Sequence, residues 1–294
     1  MIPFQLPFTL SESAALLLST LLVSLALALI ALIRNRRDLI AEEEGGDDLS
    51  AVFENPSSIV PHVEALRRRL LNSVVGILVG LLVGLALSEP IIDVLAQPIG
   101  GREALLAIGV TEPVRVFFRV ALVSGAILAS PYVIAQLWIF VASGLKKSER
   151  RVFYFAFPTA IILFLSGVAF AYFVMLPVAV PFLLSVLGFN ITPTPSDYIK
   201  FVTSVLLWMG VAFELPLVVF IMARMGLVTA GILLRNWRFA IVIIAFVAAI
   251  VTPTVDPVNM AIVMAPLSVL YLLSIIMAVF AGRARRRRQN AAEP

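Results

Sequence analysis

An all-α, polytopic membrane protein is what the chain predicts, on three observations. Hydrophobic residues make up 61% of its 294 residues and charged residues only 14%, with a mean hydropathy of +1.04, well outside the range of soluble globular chains. The apolar residues fall into separate runs, most of membrane-crossing length, divided by polar stretches. Lys and Arg gather in alternate stretches, so their position says more than the net charge of +4. Composition also limits the chemistry. With no cysteine there is neither a disulfide framework nor a thiolate metal site, and no cofactor motif takes their place. His62, the single histidine, stands in a polar segment ahead of a span, which leaves no Cys-His or Ser-His catalysis at depth.

The first run, residues 14–33, is uncharged and long enough, at about 1.5 Å per residue, to cross a core of about 30 Å. Its basic cluster, Arg34, Arg36 and Arg37, follows the run rather than preceding it, so it reads as a retained anchor with its N-terminus outside. Residues 38–60 are acidic and broken by Gly45, Gly46 and Pro56, the composition of a solvated linker. From Pro61 the chain reads PHVEALRRRLLNSV, amphipathic and basic, and continues into the second span at 70–87. Residues 88–115 are a polar excursion with Pro90, Pro98 and Pro113, in which Ile91, Ile92, Val94 and Leu95 are spaced for a short helix lying against the membrane.

The third span, 116–141, contains Pro131 and ends in a short basic loop, 143–151. The fourth, 152–176, has Pro158 near its start and Pro177 as its expected stop, leaving 177–200 as an outside loop. A fifth span follows at 201–222. The sixth, 239–251, would make only about 20 Å of helix, so it should thin the lipid or leave its neighbours' ends exposed. The turn TPTVDP leads to a seventh span at 260–281 and a basic tail. Residues 34–69, 143–152, 223–238 and 282–294 together hold 18 of the 22 Lys and Arg, which sets the N-terminus outside and the C-terminus in the cytoplasm. The other four are Arg102, Arg115, Arg119 and Lys200.

The fifth span carries a carboxylate, Glu214, two residues before Pro216. Insertion scales put a comparable acid at the centre of a membrane helix at a cost of about 2.5 to 3.5 kcal/mol, so it is neutral, paired or facing a polar cavity. Pro216 adds to the polarity, since its ring prevents a bond to the carbonyl of Ala212. The bland alternative is a protonated Glu hydrogen-bonded inside a bundle. A functional contact is the default for such a residue.

Several stretches carry a resemblance. TEPVRVFFRVALVSGAILASPYVIAQLWIFVASGLKKSERR (111–151), PHVEALRRRLL, SGVAFAYFVMLP, GVAFELPLVVFIMARMGLV and TPTVDPVNM all resemble the TatC family, the receptor subunit of the twin-arginine protein translocase, over about residues 61–280. The resemblance implies a curved six-helix core over 61–282 with Glu214 on its concave face. Residues 1–37 are then an additional anchor, 38–60 a cytoplasmic linker and 283–294 a cytoplasmic tail. It implies binding of twin-arginine signal peptides of folded precursors, assembly with single-span TatA and TatB partners into a homo-oligomeric complex of the cell membrane, and use of the proton-motive force. It implies no enzyme activity, metal or nucleic acid.

For the signal peptide the resemblance points to Glu149, with Glu64, Arg67 and Arg69. A cationic ligand needs carboxylates on the cytoplasmic face, where charge-assisted bonds to guanidinium are strong. The structural alternative for Glu149 is local neutralisation of Lys146, Arg150 and Arg151. The family's glutamate falls where this chain has Ala65, so Glu64 is rotated by about 100° and is placed instead to pair with Arg67 or Arg68. For partner helices the resemblance points to Glu214 and Pro216, and for the outside loops to Pro98 and Asp256. Where the family carries a glutamine after the last loop, Met260 stands here.

Two rival readings are a proton-coupled secondary transporter using Glu214 and an intramembrane hydrolase. The first predicts internal repeats, yet Pro131, Pro158 and Pro216 fall at different depths and one span alone carries a deep acid. The second needs a nucleophile with a base, or paired metal ligands, at depth, and the spans offer neither.

Overall fold

A computed structural model describes residues 25–26, 59–143, 147–185, 192–252 and 257–290. Every regular element among them is helical: α1 Ile59–Ala86, α2 Ser88–Ala96, α3 Glu112–Ser143, α4 Lys147–Phe170, α5 Leu176–Leu184, α6 Pro195–Phe213, α7 Leu215–Met225, α8 Ala230–Arg235, α9 Trp237–Val251 and α10 Pro257–Asn290. The predicted span at 14–33 lies outside the described residues, except Leu25 and Ala26, which are helical. Five stretches, Leu66–Ala86, Glu112–Phe140, Ala156–Leu184, Pro195–Met225 and Met260–Arg283, are long and apolar enough to cross a membrane, and α9 is a shorter apolar helix of 15 residues. The remaining six expected spans all fall on helices.

Three expectations need correction. Pro177 does not end the fourth span: a π-helical turn, Ala171–Met175, carries α4 into α5, and Leu176 N–H bonds to the Ala171 carbonyl five residues back. The wider turn relieves the clash that a proline ring makes with the carbonyl four residues before it. The outside loop shrinks accordingly, because helix occupies residues up to Leu184 and begins again at Pro195. There Thr194 caps α6, accepting from Asp197 N–H at 3.2 Å, with Pro195 as first helical residue and Asp197 in the first turn.

The second correction concerns Glu149, expected in a loop, which is already helical in the first turn of α4. The third concerns α2, whose apolar face turns inward rather than onto lipid: Ile91 and Leu95 are buried in the main core with Val116, Tyr198 and Val202. Two of its last-turn carbonyls accept from tyrosine hydroxyls at 2.8 Å, Val94 O from Tyr172 in addition to the Gln97 N–H, and Leu95 O from Tyr198.

Helix packing depends on small residues. In lipid no hydrophobic force drives helices together, so close backbone approach must supply the contact. Gly76, Gly80 and Gly84 recur every four residues along α1 and face Tyr132, Gly125 and Ala121 of α3. A Cβ at Gly80 would land on the Gly125 carbonyl oxygen, and one at Gly125 would lie 2.6 Å from the Gly80 oxygen. A second seam joins α4 to α6, where a Cβ on Gly167 would meet the Met209 oxygen at 2.5 Å. Between these seams α3 lies centrally, contributing to both the main core and a second cluster with α4 and α7.

Gly80→Val should therefore lower stability in detergent by about 2 kcal/mol or more, the upper range for overpacking, since backbone rather than a flexible side chain is in the way. Gly282→Ala, where nothing lies within 4 Å, should be neutral or mildly stabilising. Denaturant unfolding of the two variants checks this; equal stabilities would contradict the seam.

Candidate functional site

The break between α6 and α7 centres on Glu214. Its N–H bonds to Val211 O at 3.1 Å, a tight turn, and its carbonyl restarts the next helix by accepting from Val218 N–H at 3.0 Å. Pro216 accounts for the interruption, because it cannot donate to Ala212. The break is braced on one side by α4: Phe213 stacks against Phe170 with ring centroids 5.5 Å apart, and Gly210 packs under Phe164. On the far side, Leu217 and Ile221 bury themselves among Ile134, Trp138 and Ile139 of α3 and Ala160 and Phe164 of α4.

Both carboxyl oxygens of Glu214 are buried, and neither has a hydrogen-bond partner. Two more polar atoms share that condition, Ser130 Oγ and Gln136 Oε1, and both belong to α3. Each unmet buried group costs on the order of 1–3 kcal/mol. Unpaired with any cation among the described residues, the carboxyl fits its neutral form, which offers one O–H donor and a carbonyl acceptor. No group of three His, Asp or Glu side chains comes together among the described residues, so no metal-ligand set is assembled there. What the break can do chemically is exchange hydrogen bonds with a polar group brought to it.

The remaining predicted positions are scattered. Glu64 and Arg67 form an exposed i,i+3 ion pair at 3.5 Å, the pairing their spacing suggests. Arg69 is half-buried, and its carbonyl accepts from Ser73 Oγ at 2.9 Å. The Glu149 side chain lies outside the described residues, as does Asp256. Pro98 is half-buried in a 3₁₀ turn, Gln97–Ile99. Sequence reasoning passed over Gln136, Ser130 and the polar partners of Arg119. An arginine within an apolar run is itself a signal, and here it bonds to Thr203 Oγ1 and Ser204 Oγ, both at 2.9 Å, and to Lys200 O at 3.3 Å.

The family model described as Sec-independent protein translocase protein (TatC) matches residues 61–266. The chain belongs to the TatC family. Among its relatives, the Sec-independent protein translocase protein TatC of Koribacter versatilis is 38% identical over 245 residues, covering 80% of this chain and 90% of that protein. The TatC of Carboxydothermus hydrogenoformans is 35% identical, covering 77% and 95%. A crystal structure titled as the twin-arginine translocase receptor TatC superposes with a TM-score of 0.69 at 31% identity, covering 75% of this chain and 99% of that one. A TatC fold accounts for the helical, multi-pass architecture, and the family match begins at Pro61, where the first quoted motif begins.

Removing the orphaned carboxyl should not harm the isolated TatC chain. Glu214→Met, of similar volume and without hydrogen-bonding demand, should leave stability unchanged or raise it by about 1–3 kcal/mol. Unfolding in detergent checks the sign, and a clear loss of stability would mean that the carboxyl is satisfied in the folded protein.

Proposed function

We propose that this TatC-family chain is the receptor and core subunit of a twin-arginine translocase. It binds the paired-arginine signals of folded precursors at its cytoplasmic face and assembles with TatA- and TatB-type single-span partners into a homo-oligomeric complex driven by the proton-motive force. The observation that carries this reading is the enclosed, unpartnered Glu214 carboxyl at a proline-broken membrane helix. Such a group is a poor element of a finished fold and a good contact for a polar side chain on an arriving helix. The Lys and Arg distribution supports a cytoplasmic C-terminus and, with residues 1–37 as an additional anchor and 38–60 as a linker, an N-terminus outside. The solved relative's title names a receptor, which supports a binding role rather than catalysis.

A proton-coupled transporter is less well supported, because among the described residues no second ionisable side chain hydrogen-bonds to Glu214. The two roles separate experimentally. With docking, Glu214→Gln keeps partner crosslinking and part of the export activity while Glu214→Ala loses both, each interhelical bond being worth about 0.6 to 2 kcal/mol. An inactive Gln variant that still crosslinks its partner would point to a titrating role.

Recognition is tested at Glu149. Glu149→Ala should weaken signal-peptide crosslinking without unfolding the protein, Glu149→Arg should weaken it further by like-charge repulsion, and Glu64→Ala should matter less. Equal binding by wild type and Glu149→Arg at low salt would refute the assignment.

A further inference from the structure

Among the described residues four Lys and Arg, Arg102, Arg115, Arg119 and Lys200, lie toward the end of the bundle where α3 and α6 begin, and they are not treated alike. Arg102 is neutralised by Asp93 at 2.5 Å. Arg115, Arg119 and Lys200 form no ion pair among the described residues, and they lie along the α3–α6 seam that Arg119 bridges. Arg115 and Arg119 share a face of α3 at i,i+4, and the Arg119 guanidinium reaches across to the Lys200 carbonyl, Thr203 and Ser204. All three acceptors are neutral. The acids three residues before Arg115 and Lys200 bond elsewhere, Glu112 accepting from Ile108 N–H at 3.4 Å and Asp197 from the Thr194 hydroxyl at 3.0 Å. Three cations are thus gathered at the edge of a low-dielectric region without an ion pair among the described residues, an arrangement that an anion would stabilise.

Depth identifies the anion. The Glu112–Phe140 stretch of 29 residues is about 43 Å long, the thickness of a bilayer with its headgroups. Arg119 comes about 10 Å into that length, where headgroups meet hydrocarbon and a long cationic side chain can snorkel outward. Beside it on α3, Phe118 and Leu122 are exposed and apolar, suited to acyl chains rather than to a soluble ion. We propose that this seam binds an anionic phospholipid, with Arg119, Arg115 and Lys200 around the headgroup phosphodiester and the Phe118–Leu122 face against its chains. Arg119 is the fixed member, its Nε and Nη2 already spoken for by α6. Arg115 and Lys200 are exposed; Arg115 donates to the Thr111 hydroxyl of its own helix at 2.8 Å, a bond that it can exchange for the phosphate. That the lipid belongs to the outer leaflet rests on the orientation proposed above; binding itself does not.

The test is native mass spectrometry of the full chain released from micelles titrated with phosphatidylglycerol or phosphatidylcholine. Wild type should retain phosphatidylglycerol preferentially. The Arg115→Gln, Lys200→Gln double variant, which leaves every Arg119 hydrogen bond in place, should lose that retention by tenfold or more, about fivefold for each charge removed. Arg119→Gln should lose it as well, read beside its melting temperature, and the double variant decides the matter if Arg119→Gln does not fold. Unchanged retention by the double variant, equal retention of phosphatidylcholine by wild type, or displacement of the lipid by inorganic phosphate would each overturn the proposal.

Discussion

Direct contact between the backbones of α1 and α3 is the constraint on which the rest depends. Gly80 and Gly125 meet at a distance where neither tolerates a Cβ, and Gly84 does the same against Ala121. Because lipid is as apolar as the side chains, such approach supplies the dispersion contact that water would otherwise drive. Once α1 is fixed on one side of α3, α3 can bury its other faces against α2, α4, α6 and α7, and the two main apolar clusters both form around it. A helix so enclosed is also where buried polar side chains are held, which is why Gln136 is only 1% exposed.

Within that frame the α6–α7 break is, among the described residues, the place where a membrane helix is interrupted and an acid left unmet. The proline causes the interruption, the aromatic and glycine contacts with α4 hold it rigid, and Leu217 and Ile221 tie the lower half to α3. A rigid mount suits docking, since an interhelical hydrogen bond is worth little if the receiving group must first be ordered. The cost of the buried carboxyl is carried by packing elsewhere in the bundle, chiefly the glycine seams.

Much of this was legible in the chain. The span positions after residue 60, the Glu64–Arg67 pairing and the cost of placing Glu214 in a membrane helix follow from length, helical spacing and the expense of a charge in hydrocarbon. The extent of the fourth span was not, because a proline normally reads as a stop and nothing local announces the π turn that admits Pro177. The inward face of α2 was hidden for a different reason: its apolar spacing fits protein and lipid equally, and the deciding contacts come from Tyr172 and Tyr198, 75 to 103 positions away. The Gly76, Gly80, Gly84 repeat was passed over, although its four-residue spacing is that of a close-packing stripe, and its partner on α3 required the structure. Arg119 looked like one more outside cation until α6 supplied its neutral acceptors.

The central claim is that Glu214 is a neutral, unbonded carboxyl that a partner helix satisfies. Infrared difference spectroscopy of the reconstituted protein, wild type minus Glu214→Gln, reads this directly through the protonated carboxyl C=O stretch. The account predicts a band at the high wavenumber of a free carboxylic acid that moves to lower wavenumber when the partner helix is added. A carboxylate band in its place, or a carboxylic band that the partner leaves unmoved, would contradict it.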